Sequence, residues 1–309
     1  MSRILITGGA GFIASALAAR LANNPDDHVV IVDNLITGEL RKVPAPSHNN
    51  ITFIKCDVND FNDISSVFFA WKFDVVFHFA ALVGVKRTLE HPVKVLNDIE
   101  GIKNILNLSK NTGVKRVFFS SSSEVYGEPV EFPQNELTTP LNSRLPYAIV
   151  KNLAEAFLRS YEKEFGLSYT VFRFFNTYGP MQSEDFVISR FVRAALAGKD
   201  LTIYGDGSQT RTFCYIDDNV EACESAFRQN KCINDVMNIG SEKEVTILEL
   251  AQLVIRLTNS SSQIVHLPPL PEGDMTRRKP DNSKMRQILG RDLIPLEEGL
   301  KKIISAWKA

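Results

Sequence analysis

A short apolar run that passes directly into a glycine cluster constrains the fold of this chain more than any other feature. Residues 3–7 are mostly β-branched or apolar, Gly8-Gly9-Ala10-Gly11 follows, and residues 15–22 have the composition of a helix. A strand, a tight glycine turn and a helix in this order begin a parallel α/β unit. We therefore expect the first strand of a doubly wound sheet to begin near residue 3.

The alternation of strand and helix continues through the first 120 residues and then weakens beyond residue 180. This pattern predicts the α/β class, with a Rossmann-type doubly wound parallel sheet and a smaller C-terminal α/β lobe. We expect a first domain over residues 1–177, rejoined by about 212–240, and a lobe over 178–309. The runs that predict strands are residues 29–33, 51–54, 74–81, 114–120 and 201–204, and those that predict helices are 97–112, 147–164, 246–257 and 296–307.

Composition excludes several classes of protein. Lys and Arg total 35 against 36 for Asp and Glu, a formal net charge of −1, so no overall field attracts nucleic acid or an anionic membrane. The four cysteines form no CxxC pair and lie near no histidine at ligand spacing, so we expect neither a metal site nor disulfides. The N-terminus is too short for a signal segment before the first strand, and no apolar run of about 18 residues follows. We therefore expect a cytoplasmic protein without a membrane span.

The first glycines and the acidic residues at strand ends predict a dinucleotide site. Gly8 permits the tight turn, and Gly11 allows a pyrophosphate to approach the helix N-terminus, where Phe12 and Ile13 lie. Asp33 follows about 20 residues later, where a carboxylate accepts ribose hydroxyls. An acid there repels a ribose phosphate, which favours NAD over NADP unless a neighbouring arginine reverses the preference. Four further strand-end positions and one side chain beside Asp33 complete the predicted cofactor site: Asn34, Asp57, Val58, Ala80 and Ala81.

Two polar residues four apart on a predicted helix could form a base. Tyr147 and Lys151 project from one face of the helix, about one turn apart. An ammonium group near a phenol favours the phenolate, so the phenol can accept a proton near neutral pH. His78, in contrast, lies within an apolar run, and we expect it to be a hydrogen-bonded core residue.

The motifs together resemble the extended short-chain dehydrogenase/reductases of the NAD-dependent sugar-nucleotide epimerase/dehydratase family. The resemblance implies bound NAD, a nucleotide-diphospho-sugar substrate and reversible oxidation at carbon 4 of the sugar. It also implies that Tyr147 accepts the hydroxyl proton, Ser122 holds that oxygen, and Lys151 lowers the tyrosine pKa and contacts the nicotinamide ribose. The motifs are Gly8 to Ile13, Asp33-Asn34, residues 78–81, residues 122–127, Tyr147 with Lys151, residues 173–180 and residues 207–211.

The resemblance extends to the substrate and to a partner subunit. It implies that Asn176 approaches the substrate phosphates or sugar, Arg211 the diphosphate and Arg278 the nucleotide. It also implies a homodimer, in which the helices over 97–112 and 147–164 form a four-helix bundle with their mates. Three further residues complete the predicted substrate site: Val83, Lys86 and Arg144.

Ser123 and Glu124 bear on the fate of the sugar after its oxidation. In the family's 4,6-dehydratases an Asp-Glu pair stands here, and Ser123 is a poor substitute for the acid. UDP-glucuronate decarboxylases carry Ser-Glu before Val-Tyr-Gly, as here, and also resemble this chain at Arg144 and residues 277–281. Residues 81–87 resemble the 4-epimerases instead. The sequence ranks a 4-epimerase first, followed closely by a decarboxylase and a net 4-dehydrogenase, with a non-catalytic nucleotide-sensing module as the alternative from another class.

Overall fold

The computed structural model describes residues 1–45, 50–128, 130–268 and 278–308. The chain forms two compact units, each built from three stretches of sequence. The first unit contains Met1–Gly127, Leu141–Phe174 and Val220–Met237, and the second contains Glu128–Pro140, Phe175–Asn219 and Asn238–Ala309. The assignment of cofactor binding to the first unit and substrate binding to the second stays a prediction.

A seven-stranded sheet organises the first unit. Its strands are β1 Arg3–Thr7, β2 His28–Asp33, β3 Ile51–Lys55, β4 Val75–His78, β5 Arg116–Ser122, β6 Ser168–Phe174 and β11 Asp235–Ile239. The order across the sheet is β11-β6-β5-β4-β1-β2-β3, and each pairing from β6 to β3 is parallel. Strand order reverses at β1, as in a doubly wound fold, so the predicted Rossmann-type class is confirmed.

Helices connect these strands, and local sequence sets their ends. They are α1 Phe12–Leu21, α2 Phe61–Trp71, α3 Val85–Glu90, α4 Pro92–Leu96, α5 Asp98–Thr112, α6 Pro146–Phe165 and α8 Ile216–Arg228. Asp60 caps α2 by accepting from two backbone N–H groups, and Pro146 occupies the first turn of α6. Gly113 and Gly166 end α5 and α6 with positive φ angles of 80° and 70°.

The main core of the first unit lies between one face of the sheet and helices α2, α5 and α6. Leu5, Val76 and Val171 from the strands pack in one cluster with Ile105 of α5 and Leu158 of α6. All four residues of β4 are buried, as expected for a central parallel strand with helices on both faces. This packing fixes where the carboxyl ends of the strands lie relative to α6.

The second unit contains three two-stranded sheets and four helices among its described residues. The paired strands are β7 Thr177–Tyr178 with β10 Cys214–Tyr215, β8 Leu201–Tyr204 with β13 Ile264–Leu267, and β9 Thr210–Thr212 with β12 Glu244–Thr246; the helices are α7 Val187–Leu196, α9 Ile247–Thr258, α10 Ser283–Leu289 and α11 Leu296–Lys308. Thr246 and Glu249 form a capping box at the start of α9, where a helix was predicted. None of the described helices has the length and apolar character needed to cross a membrane.

Candidate active site

A cavity of about 370 Å³ opens at the carboxyl ends of β1, β2, β3 and β4. Seven of the predicted cofactor residues line it: Gly8, Asp33, Asn34, Asp57, Val58, Ala80 and Ala81. The structure therefore brings together residues that lie more than 70 positions apart in the sequence. Ligands bind at this edge of doubly wound sheets, at the point where strand order reverses.

The glycine turn leaves room for a phosphate group. Gly8 has φ +68°, and a Cβ added there would lie 2.7 Å from the backbone of Ala80. The N–H of Gly11 donates to the carbonyl of Gly8 at 2.9 Å, and Gly11 is the N-cap of α1. No described side chain caps this helix, so its first N–H groups, including those of Phe12 and Ile13, are available to an anion. The turn thus fits the pyrophosphate of a dinucleotide.

Asp33 forms part of the cavity wall as a fixed acceptor. Its carboxylate accepts from the N–H of Ala10 at 3.0 Å and from that of Leu35 at 2.7 Å. A Cβ added at Gly38 would lie 2.6 Å from the same carboxylate. Held by backbone on two sides, the carboxylate is suited to accept ribose hydroxyls and repels a phosphate there.

The basic residues after β2 are paired within their own loop. Arg41 Nε lies 2.5 Å from Glu39, and Lys42 Nζ lies 2.7 Å from the other oxygen of Glu39. These pairs hold the pKa of Glu39 below its ordinary value. The neighbouring arginine that could have reversed the preference for NAD therefore has an acidic partner.

The strand β5 and the helix α6 bring the predicted catalytic residues into the first unit. Helix α6 packs against β5 and against the 3-10 turn Ser123–Tyr126 that follows it. Lys151 is buried, and its Nζ donates to the carbonyl of Ser120 at 2.7 Å. The same Nζ lies 5.7 Å from the centre of the Tyr147 ring. The helical spacing inferred from sequence therefore places the ammonium group near the phenol.

Burial sets the protonation behaviour of Lys151. Loss of hydration lowers the pKa of Lys151 to about 8, and the Asp98 carboxylate partly opposes that change. Burial also raises the pKa of Asp98, whose carboxylate accepts from the N–H of Leu82 at 2.7 Å. The Asp98 carboxylate favours the protonated, charged form of Lys151. That charged form is the one that stabilises a neighbouring phenolate.

The turn after β5 presents the remaining predicted catalytic residues. Ser122 caps the turn, and its Oγ accepts from the N–H of Glu124 at 3.2 Å. Ser123 is only 3% exposed, whereas Glu124 and Tyr147 are half-buried. Ser123 is therefore the least accessible of these residues, since Ser122 is also half-buried.

His78 is a core residue, as the sequence predicted. It is fully packed in β4, with Nδ1 2.8 Å from Thr7 Oγ1 and its ring stacked on Phe119. Burial lowers the pKa of His78 to about 3, and the Lys151 charge adds to that effect. The imidazole therefore stays neutral at physiological pH.

Asp98 is a candidate functional residue that the sequence analysis did not identify. It lines the cavity at the first position of α5, and its interaction with Lys151 joins distant parts of the sequence. Asn59 Oδ1 supports the same helix start by accepting from the N–H of Gly101 at 2.9 Å. An acidic residue in the first turn of a helix is common, so the sequence carried no distinctive signal.

The predicted substrate residues fall in both units. Asn176 Nδ2 donates to the carbonyl of Thr212 at 3.0 Å, and Arg211 Nη1 donates to that of Thr210 at 2.8 Å. Arg278 is half-buried beside Lys279, which forms an ion pair at 3.7 Å with Glu244 of β12. Because β12 pairs with β9, the second unit brings Arg211 and Arg278 to the same region.

The other three predicted substrate residues lie in the first unit. Val83 and Arg144 are exposed, and Lys86 lies in α3 with its side chain outside the described part of the structure. Arg277 also lies outside the described residues. Over the described ranges, no group of three acidic, histidine or cysteine side chains could hold a metal ion.

The fold and cavity define an NAD-binding enzyme of the doubly wound class, and comparison with known proteins identifies its family. Residues 4–240 match the NAD dependent epimerase/dehydratase family. The chain belongs to this family, whose members depend on NAD.

Relatives of known activity cover almost the whole chain. A UDP-N-acetyl-alpha-D-glucosaminuronate decarboxylase from Bacillus cytotoxicus is 40% identical over 99% of this chain and 98% of its own length. The UDP-glucuronic acid decarboxylase 1 of Danio rerio is 38% identical over 98% of this chain and 72% of its own. Among solved structures, a UDP-glucose 4-epimerase from Thermotoga maritima, crystallised with UDP-glucose, superposes with a TM-score of 0.92 at 34% identity, over 99% of this chain and 98% of its own.

Proposed function

We propose that this protein is an NAD-dependent decarboxylase of a UDP-linked hexuronate. It would oxidise carbon 4 of the sugar and then release the carbon-6 carboxylate as carbon dioxide. The observation that carries the proposal is the turn after β5, which presents the carboxylate of Glu124 beside a buried neutral Ser123. A 4,6-dehydratase needs a second acid at that position, which this turn lacks.

The relatives support a decarboxylase over the 4-epimerase that the sequence ranked first. The Bacillus cytotoxicus and Danio rerio enzymes both decarboxylate a UDP-linked uronic acid, and each covers at least 98% of this chain. Their activities agree with the resemblance at Glu124, Arg144 and Arg278. The UDP-glucose 4-epimerase shares the fold at lower identity.

The first step depends on Tyr147, Lys151 and Ser122. NAD, when bound, supplies the acceptor for the carbon-4 hydride and later returns that hydride. Tyr147, as phenolate, accepts the carbon-4 hydroxyl proton, and the Lys151 ammonium stabilises the phenolate. Ser122 donates a hydrogen bond to the same sugar oxygen. The glycine turn, Asp33 and the cavity walls would hold the dinucleotide.

The second step depends on the ketone. A carboxylate at carbon 6 lies β to a carbon-4 ketone, so the bond between carbons 5 and 6 can break with its electron pair moving onto the carbon-4 oxygen. Tyr147, now a phenol, donates to that oxygen and stabilises the charge. Glu124, protonated from solvent, delivers a proton to carbon 5. Carbon dioxide leaves, and one proton replaces it.

Product analysis tests the proposal. Purified protein with NAD is incubated separately with UDP-glucuronate, UDP-N-acetylglucosaminuronate, UDP-glucose and UDP-N-acetylglucosamine, and products are assigned by mass spectrometry and NMR. We expect a uronate to lose carbon dioxide and give a UDP-linked pentose or amino pentose. Unchanged mass with inverted carbon 4, loss of two hydrogens with stoichiometric NADH, or binding of NAD without turnover would each contradict a decarboxylase.

A 4-epimerase is the second candidate, because residues 81–87 resemble those enzymes and the Thermotoga maritima structure is similar over nearly the whole chain. Glu124→Gln separates the two. In a decarboxylase the substitution removes the proton donor for carbon 5 and lowers product formation by about a hundredfold, within the range for general acid catalysis. In a 4-epimerase, carbon 5 does not react, so oxidation and return at carbon 4 would continue.

A further inference from the structure

Four buried polar side chains in the first unit form one continuous network behind the predicted catalytic residues. Ser121, Tyr126, Glu155 and Arg173 are 3%, 1%, 0% and 2% exposed. We call this set the Glu155 network. None of its members was singled out as a site residue from the sequence, and none lines the cofactor cavity.

Glu155 lies at the centre of the network. Its Oε1 accepts from Ser121 Oγ at 2.7 Å and from Arg173 Nε at 3.0 Å. Its Oε2 accepts from Arg173 Nη2 at 2.7 Å, which completes a bidentate pair. Arg173 Nη1 donates to the Tyr126 hydroxyl at 2.8 Å. Exposed Arg159 adds a weaker ion pair to Glu155 at 3.6 Å.

The network joins four elements that carry or support the chemistry: α6, β5, β6 and the turn after β5. Glu155 lies one turn after Lys151 on α6, and the two residues contact Ser121 and Ser120, which are adjacent in β5. Arg173 is the direct neighbour of Ser121 in the parallel register of β5 and β6. Tyr126 is the last residue of the turn that begins at Ser123 and carries Glu124. The helix with Tyr147 and the turn with Glu124, which also pack directly against each other, are therefore linked by hydrogen bonds through Arg173 and Glu155.

Burying this ion pair is poorly explained by stability alone. The loss of hydration on burying two charges largely offsets their attraction, so apolar residues of similar volume often stabilise a core equally well or better. A guanidinium fork, in contrast, fixes direction, because its planar donors bind a carboxylate in one orientation. The Glu155 network is therefore suited to fix the angle and the distance between α6 and the turn after β5.

We propose that Glu155 and Arg173 are positioning residues, which hold the turn with Ser122 and Glu124 in register with Tyr147 on α6. One connection between the network and the turn is the hydrogen bond from Arg173 to the Tyr126 hydroxyl. The inference rests on the proposed function, because it concerns how Glu124 is presented to carbon 5 after oxidation at carbon 4. Tyr147 and Lys151 share one helix, and Ser122 is the last residue of β5. Glu124 lies within the turn itself, so a loosened turn affects the second step more than the first.

Tyr126→Phe tests the connection with the smallest change. It removes one hydroxyl and leaves the Glu155–Arg173 ion pair and the ring packing in place. We expect kcat for decarboxylated product to fall about tenfold, comparable to losing one hydrogen bond to a charged group, with KM for the sugar nucleotide within about twofold of the wild-type value. The fraction of turnovers that end as released 4-keto sugar and NADH should rise, because oxidation continues while the second step slows.

Tyr161→Phe is the matched control. It also removes one tyrosine hydroxyl from a hydrogen bond, that to Asn107 Oδ1 at 2.7 Å, and it lies on α6 away from the network. We expect the product ratio of this variant to equal that of the wild type. Equal ratios in Tyr126→Phe and wild type, or equal changes in the two tyrosine variants, would overturn the positioning role. Thermal unfolding of both variants measures the purely structural effect.

Arg173→Lys supplies a second, independent measurement. It keeps the positive charge beside Glu155 but loses the bidentate fork and the bond to Tyr126, so we expect the same shift toward released 4-keto sugar as in Tyr126→Phe, or a larger one. A wild-type ratio in Arg173→Lys would overturn the inference. Failure of the proposed function is recognised separately, because wild-type protein would then yield no decarboxylated product. If the wild type inverts carbon 4 instead, carbon 5 does not react, and the positioning role is overturned together with the proposed function.

Discussion

The two sides of the candidate active site are built from different materials. On the cofactor side, backbone and small residues define the cavity: the Gly8 turn, the Asp33 carboxylate held by two N–H groups, and the alanines after β4. On the catalytic side, buried charged side chains lie behind the predicted catalytic residues, and Lys151, Glu155 and Arg173 are each no more than 3% exposed. The geometry of the cofactor side depends on the path of the backbone. The geometry of the catalytic side depends on contacts between side chains that are distant in the sequence.

This difference suits the two tasks. A dinucleotide is held through its phosphates and riboses, which backbone donors and one acceptor recognise irrespective of the sugar substrate. The reaction at the sugar depends instead on the distance and orientation of a few side chains, where small displacements change rates strongly. Substitutions on the cofactor side should therefore lower the affinity for NAD, and substitutions on the catalytic side should lower the turnover rate.

We expect the largest effect on turnover from a substitution at Tyr147. Tyr147→Phe removes the hydroxyl that accepts the carbon-4 proton, so kcat should fall by about a thousandfold, within the range for loss of a general base. NAD affinity, measured by titration calorimetry, should stay within about twofold, because the cavity residues are unchanged. Retention of more than a few per cent of wild-type turnover would remove Tyr147 from its role.

On the cofactor side, we expect the largest loss of NAD affinity from a substitution at Gly8. Gly8→Ala places a methyl group 2.7 Å from the Ala80 backbone at φ +68°, so NAD affinity should fall at least about tenfold through displacement of the turn. Gly166→Ala is the control, because Gly166 has a similar φ of +70° and open space around it. Equal affinities for NAD in both alanine variants would contradict a role for the close approach between Gly8 and Ala80.

His78 gives a pH test of the buried polar groups between the two sides. Its folded-state pKa of about 3 lies below the ordinary 6.5, so its stabilisation is fully present above pH 6.5 and is lost as pH falls toward 3. Over that window the free energy of unfolding should fall by up to about 1.4 kcal/mol per pH unit more steeply than in His78→Asn. Denaturant titrations at several pH values measure the slopes, and parallel slopes would contradict the burial argument.

The smallest effect on turnover is expected at a surface of α6. Ile149, Leu153 and Phe165 are each more than 40% exposed and, with Phe157 and Tyr161, repeat every four residues along the helix. We propose that this stripe pairs with a second copy of the chain. Leu153→Lys should yield a monomer in analytical ultracentrifugation, with kcat reduced about twofold or less and NAD affinity unchanged. A monomeric wild type at micromolar concentration would contradict the dimer.

The contrast between the two sides also explains how far the sequence could predict the structure. The glycine turn, Asp33 and the strand ends follow from local patterns, and the structure has β1 at Arg3–Thr7 and β2 at His28–Asp33, close to the expected bounds. The predicted run 74–81 forms a shorter strand, Val75–His78, because the chain leaves the sheet where it lines the cavity.

The catalytic side was predictable only where its residues lie one helical turn apart, as Tyr147 and Lys151 do. Glu155 and Asp98 gave no signal, because their partners are distant in sequence: Ser121 and Arg173 for Glu155, and Leu82 for Asp98. A buried glutamate and an exposed one on an amphipathic helix look alike until the strands beneath the helix are placed.

The Ser122 cap at the start of the turn after β5 complicates mutagenesis of this serine. Ser122 Oγ accepts the Glu124 N–H and can still donate its own proton, which is the bond it would make to a sugar oxygen. Replacing this serine by alanine would remove that donor and the anchor of the Glu124 backbone together. The resulting loss of rate would then belong to two residues, and a threonine, which keeps the hydroxyl, is the control that retains both functions.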